Sequence, residues 1–206
     1  MTHPVATPFN LVLAVALAVA SMPAGVDLPV HWGVTGAADG FLPRDLALLL
    51  LPAIAVLVLG LLVWVRRSAA AAGGRQALTT AMSVLLGLFV VVQTAIVMIG
   101  VGIAVDMVRI VVLALGVVFV VLGNIMPKTQ PNGVVGIRLP WPLADAANWQ
   151  ATNRLGGWLM LLGGLLMACT ALLSGQPAIL LTATAIGVIV PILVATLFSY
   201  RLAHRK

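Results

Sequence analysis

The chain has 206 residues, 62% hydrophobic and only 8% charged, with a mean hydropathy of +1.18. A soluble domain of ordinary usage carries about 25% charged residues, so composition excludes a water-soluble globular protein. Eleven Lys and Arg stand against five Asp and no Glu, a net charge of +6; these cations cluster at the ends of apolar runs, which assigns them to membrane orientation and not to direct nucleic-acid binding.

Met1 to Pro8 has no Lys or Arg and so lacks the basic start of a secretory signal, which makes the first apolar run, Val5 to Met22, a retained span. A connection from Pro23 to Asp45 follows, rich in Gly and Pro, with His31, Trp32 and Phe41 giving it an amphipathic surface at headgroup level. It reads either as an interfacial loop anchored by Trp32 or as a recognition surface in which His31, Trp32 and Asp39 contact a ligand.

The second span is Leu46 to Val65, the third Ala77 to Val101 and the fourth Val108 to Met126. A single helix from Ala77 to Met126 would be about 75 Å long against a hydrocarbon core of about 30 Å. The chain must therefore turn back at Gly100, Gly102, Asp106 and Arg109, where glycines and the only charges of that stretch coincide. Pro52 in span two and Pro191 in span six are expected to kink their helices.

A second polar connection runs from Gly123 to Gly157, with Lys128, Arg138, Asp145 and Arg154 beside Trp141 and Trp149. Its part from Asp145 to Arg154 fits a short amphipathic helix lying along the membrane with Asp145 as N-cap. Because long ordered loops tend to be functional, the whole connection is expected to form an ordered platform, with Arg138 and Arg154 donating to backbone carbonyls or to Asp145. Leu155 to Leu173 and Ala178 to Tyr200 complete six spans. Gly157, Gly164, Ala168 and Ala171 make a small-residue stripe on span five, read as an internal packing seam, with a homodimer as the alternative.

Nine Lys and Arg fall in the connections after spans two and four and in the tail (Arg66, Arg67, Arg75, Lys128, Arg138, Arg154, Arg201, Arg205 and Lys206), against Arg44 and Arg109 on the other side. The positive-inside rule then places both termini in the cytoplasm. The expected architecture is all-α, a polytopic bundle of about six transmembrane helices with both termini on the cytoplasmic side. It divides into residues 1–76 with the outward loop and 77–206 with the cytoplasmic loop.

No chemistry of an enzyme is visible. His3, His31 and His204 lie in three separate segments, Cys169 sits alone in an apolar run, and no serine has a base and orienting group nearby in sequence. No catalytic residue, metal or cofactor is expected. Asn10 and Gln93 are the notable polar side chains within spans and read as partners of interhelical hydrogen bonds.

The cytoplasmic loop resembles the SdpI family of bacterial membrane immunity proteins, whose pattern is approximately G-N-x-x-P-K-x-x-x-N-x-x-x-G-x-R-T-P-W-T-L and then W-x-x-T-H-R-x-x-G. Gly123, Asn124, Pro127, Lys128, Asn132, Gly136, Arg138, Pro140, Trp141 and Leu143 match, then Trp149, Thr152, Arg154 and Gly157. Leu139 and Pro142 replace two threonines, and Asn153 replaces the histidine. The outward loop resembles the L-P-x-H-W module that often accompanies this family, through Leu28, Pro29, His31, Trp32, Gly36, Asp39 and Gly40.

The resemblance implies resistance to a secreted peptide toxin, and in one member the holding of a small winged-helix repressor at the membrane. It implies a peptide or lipid-like ligand for the outward loop and a partner for Asn124, Pro127, Lys128, Asn132, Arg138, Trp141, Trp149, Thr152 and Arg154, unless those residues build the loop itself. The rivals are an exporter of a small hydrophobic compound, with a polar cavity between spans two and six, and a structural subunit.

Overall fold

A computed structural model describes Leu17, Ala20, Met22, Pro23 and residues 25–204. The first expected span, residues 5–22, lies almost wholly outside these, as do His3 and Asn10. The other five spans are present as helices long and apolar enough to cross a membrane. They are α1 (Arg44–Arg67), α2 (Arg75–Gly100), α3 (Met107–Ile125), α5 (Ala146–Leu173) and α6 (Pro177–Ala203), with a short α4 (Pro140–Ala144) before α5.

Among the described residues, the one departure from an all-helical fold is at Pro23 to Asp45, expected to be a turn-rich loop. It forms an antiparallel hairpin of β1 (Asp27–Trp32) and β2 (Ala38–Pro43). The physical reason lies in Leu28, Val30 and Trp32, which recur at the period of a strand and turn toward the helices while Asp27 and His31 stay exposed. Leu28 is buried with Met22, Ala47, Leu48, Ala95, Ile96 and Met107, so the hairpin is clamped onto the ends of α1, α2 and α3.

The turn between α2 and α3 falls where expected. Gly102 takes φ +85° just past the end of α2, a left-handed conformation natural for glycine. The Asp106 carboxylate then caps α3 by accepting from the Arg109 amide at 3.0 Å. Arg109 itself reaches across to α5: its Nε donates to the Ala171 carbonyl at 2.5 Å and its Nη2 to Leu172 at 2.9 Å, satisfying carbonyls at that helix's end.

The small-residue stripe is used inside the chain. A methyl group on Gly123 would lie 2.6 Å from the Gly157 carbonyl, and one on Gly116 would lie 2.7 Å from that of Gly164, so α3 and α5 touch backbone to backbone at two points. On another side of α5, Gly163 meets Gly187 of α6 at 2.5 Å by the same measure. The packing order is α1 on α2, α2 on α3, α3 on α5 and α5 on α6.

Candidate functional site

The bundle has two unlike ends. The hairpin, the α2–α3 turn and the start of α6 form one; Gly36 at the hairpin tip lies against Val108 and Pro177. The segments 68–74 and 126–145 and the last turn of α6 form the other. Of the described Lys and Arg residues, Arg66, Arg67, Arg75, Lys128, Arg138, Arg154 and Arg201 are at the second end, and Arg44 and Arg109 at the first.

At the hairpin end, His31 and Asp39 face each other across the strands, Nδ1 to Oδ1 at 2.5 Å, with both side chains mostly exposed. Gly40 opposite His31 makes this possible, because a methyl there would fall 2.9 Å from the His31 Cβ. Val34 and Phe41 stand exposed on the same hairpin. Trp32 does not join them. It is half-buried against the Met22–Leu28–Met107 cluster, so it fastens the hairpin to the helices.

At the opposite end, residues 126–139 are stitched to the rest by hydrogen bonds. The Gln130 amide donates to the Gly73 carbonyl at 2.9 Å and the Gly133 amide to Ala70 at 2.8 Å. Asn132 uses its whole side chain: Oδ1 accepts from the amides of Val134 and Val135 at 2.9 and 2.7 Å, while Nδ2 donates to the carbonyls of Gln130 and Val135. Arg138 donates to the Gly133 carbonyl as expected. Arg154 takes another course, exposed and without a hydrogen-bond or ion-pair partner among the described residues.

Asp145 is the N-cap anticipated, accepting from the Ala147 amide at 2.9 Å. The short helix along the membrane is not formed. Residues 146–154 are instead the first turns of α5, which runs unbroken for 28 residues: it contains no proline, and its Gly156 and Gly157 are packed tightly against Ile137, Gly123 and Pro127. Trp149 is consequently an interior residue, fully buried, with its indole N–H donating to the Thr129 carbonyl at 3.0 Å. It anchors the loop from within, in place of fastening it to a membrane surface.

A second buried network was not legible in the sequence. Asn148 accepts on Oδ1 from Thr152 and Ser199, both at 2.8 Å, and donates from Nδ2 to the Ser199 carbonyl at 3.1 Å, locking α5 to α6. Trp141 meets Tyr200 and His204 edge-on, with ring centroids 5.5 and 6.3 Å away, and its buried indole nitrogen has no partner among the described residues. Asn132, Trp149 and Thr152 thus build the platform. Asn124, Lys128, Arg138 and Arg154 are exposed on it, and Pro127 packs on Gly157.

Residues 128–199 match the SdpI/YfhL protein family. Over 174 residues, covering 84% of this chain and 82% of the relative, the sequence is 24% identical to the immunity protein SdpI of Bacillus subtilis (strain 168). No solved structure matches the chain. The SdpI resemblance read from the cytoplasmic loop is therefore borne out, and the matched segment contains most of the platform with the two helices it rests on.

Proposed function

We propose that this polytopic membrane protein is an immunity protein: a receptor-like bundle, without enzymatic activity, that confers resistance to a membrane-active peptide toxin. The observation that carries this reading is the similarity to a protein named an immunity protein along 84% of the chain. In the orientation given by the positive-inside rule, the hairpin faces outward and the platform faces the cytoplasm. The exposed His31–Asp39 pair beside Val34 and Phe41 offers an amphipathic peptide, or a lipid-like ligand, both hydrogen-bonding and apolar contacts. The platform serves a cytoplasmic partner, for which a small winged-helix repressor is the candidate that the resemblance supplies.

The packing argues for this reading over an exporter. An export path between the two proline-containing helices would require α1 and α6 to be neighbours. α1 packs instead on α2 and the hairpin, whereas α6 packs on α5, α3 and α4. The glycine contacts bring α3, α5 and α6 together at backbone distance.

Expression in a sensitive cell should raise survival under a panel of membrane-active peptides, and His31→Ala with Asp39→Ala should reduce that protection at unchanged protein abundance. Wild-type protein at normal abundance that protects against none of the panel would overturn the proposal.

A further inference from the structure

A cleft of about 200 Å³ opens where the last turn of α3 meets α5, lined by Asn124, Pro127, Lys128, Arg154, Trp158 and Leu161. Its walls are set by the Gly123–Gly157 contact, which brings the two helices together beside it. Lys128 and Arg154 both line it, and neither has a hydrogen bond or ion pair among the described residues. Lys128 also lines the adjoining cavity with Arg75, so the basic strip continues around the platform's edge. The acidic residue at this end, Asp145, precedes Arg154 by nine positions, about 13 Å along the helix, and its carboxylate is engaged in capping α5.

The floor of the cleft is as informative as its rim. Trp158 lies one turn beyond Arg154 on the same helix face and is 58% exposed, and the exposed apolar side continues through Leu162, Leu165 and Leu166. The cations therefore stand where a polar surface passes into an apolar one. A free inorganic anion has no use for that floor, whereas a glycerophospholipid has a phosphate for the rim and an acyl chain for the face below. Arg binds phosphate through a planar fork and Lys as a point charge, and basic pockets between transmembrane helices take anionic lipid headgroups.

We propose that this cleft binds the phosphodiester headgroup of an anionic glycerophospholipid, with Lys128 and Arg154 on the phosphate, Asn124 as a further donor and Trp158 against the upper acyl chain. The site is distinct from the ligand face proposed for the hairpin and does not depend on the immunity reading. Cations that merely snorkel to a membrane surface would show no dependence on which cations are removed.

The test is native mass spectrometry of the full chain in detergent with phosphatidylglycerol or phosphatidylcholine added. The wild type should retain phosphatidylglycerol in preference to phosphatidylcholine, and Lys128→Gln with Arg154→Gln should lower that preference about tenfold. Lys128→Arg with Arg154→Lys should keep most of it. Arg67→Gln with Arg201→Gln removes the same charge at the same end outside the cleft and should leave the preference unchanged. Equal loss in this control pair, no preference in the wild type, or displacement of the lipid by millimolar inorganic phosphate would overturn the proposal.

Discussion

Asn153 stands where the SdpI pattern has a histidine, and its surroundings explain what the position does in this chain. The buried carboxamide accepts from the Ile137 amide at 2.8 Å and donates to the Trp149 carbonyl at 3.1 Å, tying the platform loop to α5. Gly136 allows the approach, since its φ of +108° and the 2.5 Å left for a methyl beside Asn153 Oδ1 both exclude other residues. An amide does not titrate between pH 5 and 8, so this tie is independent of pH, whereas imidazole would change charge in that range. Asn153→Ala should leave the Ile137 amide without a partner and cost about 1–3 kcal/mol. The expected result in detergent is a lower apparent thermal midpoint and faster proteolysis between Lys128 and Arg138; an unchanged midpoint would mean that the bond contributes nothing. The sequence showed this position only as a departure from a pattern, because a side chain sixteen residues from its partner leaves no local signal.

The elements were legible to different degrees. Spans two, three, four and six, and the end of span five, could be read within a few residues because long apolar runs of membrane helices dominate any local preference. The hairpin was missed because Pro29, Gly33, Gly36, Gly40 and Pro43 read as loop composition, although Leu28, Val30 and Trp32 carried a strand period. The continuity of α5 is not legible because Asn148, Gln150, Asn153 and Arg154 make its first turns polar, and such polarity reads as the end of a span. The stripe on α5 was visible, but its partners Gly116 and Gly123 were hidden in the uniformly apolar α3. Gly123→Ala should therefore press a methyl against the Gly157 carbonyl and cost about 1–3 kcal/mol as overpacking. Gly87→Ala on α2, where nothing lies within 4 Å, is the matched control. Monodisperse yield from detergent should fall for the first and hold for the second; equal yields would remove the seam from the account.

At the scale of the whole molecule, the two ends differ in charge and in construction. The hairpin end holds Asp27, Asp39, Asp45 and Asp106 with Arg44 and Arg109, and the Arg44 Nη1 donates to the Met22 carbonyl at 2.7 Å, joining the start of α1 to the approach to the hairpin. The platform end gathers seven described cations around buried amide and indole hydrogen bonds. Charge asymmetry was the most legible global feature, since the positive-inside rule needs only the order of spans and cations. The division of labour at the centre of this account, ligand outside and partner inside, stands on that orientation. Its most direct test is single-cysteine labelling with a membrane-impermeant thiol reagent in intact cells, using Thr35→Cys on the hairpin turn and Ala146→Cys at the start of α5, each with Cys169→Ser. Position 35 is expected to react in intact cells and position 146 only after permeabilisation; labelling of 146 with protection of 35 would contradict the account.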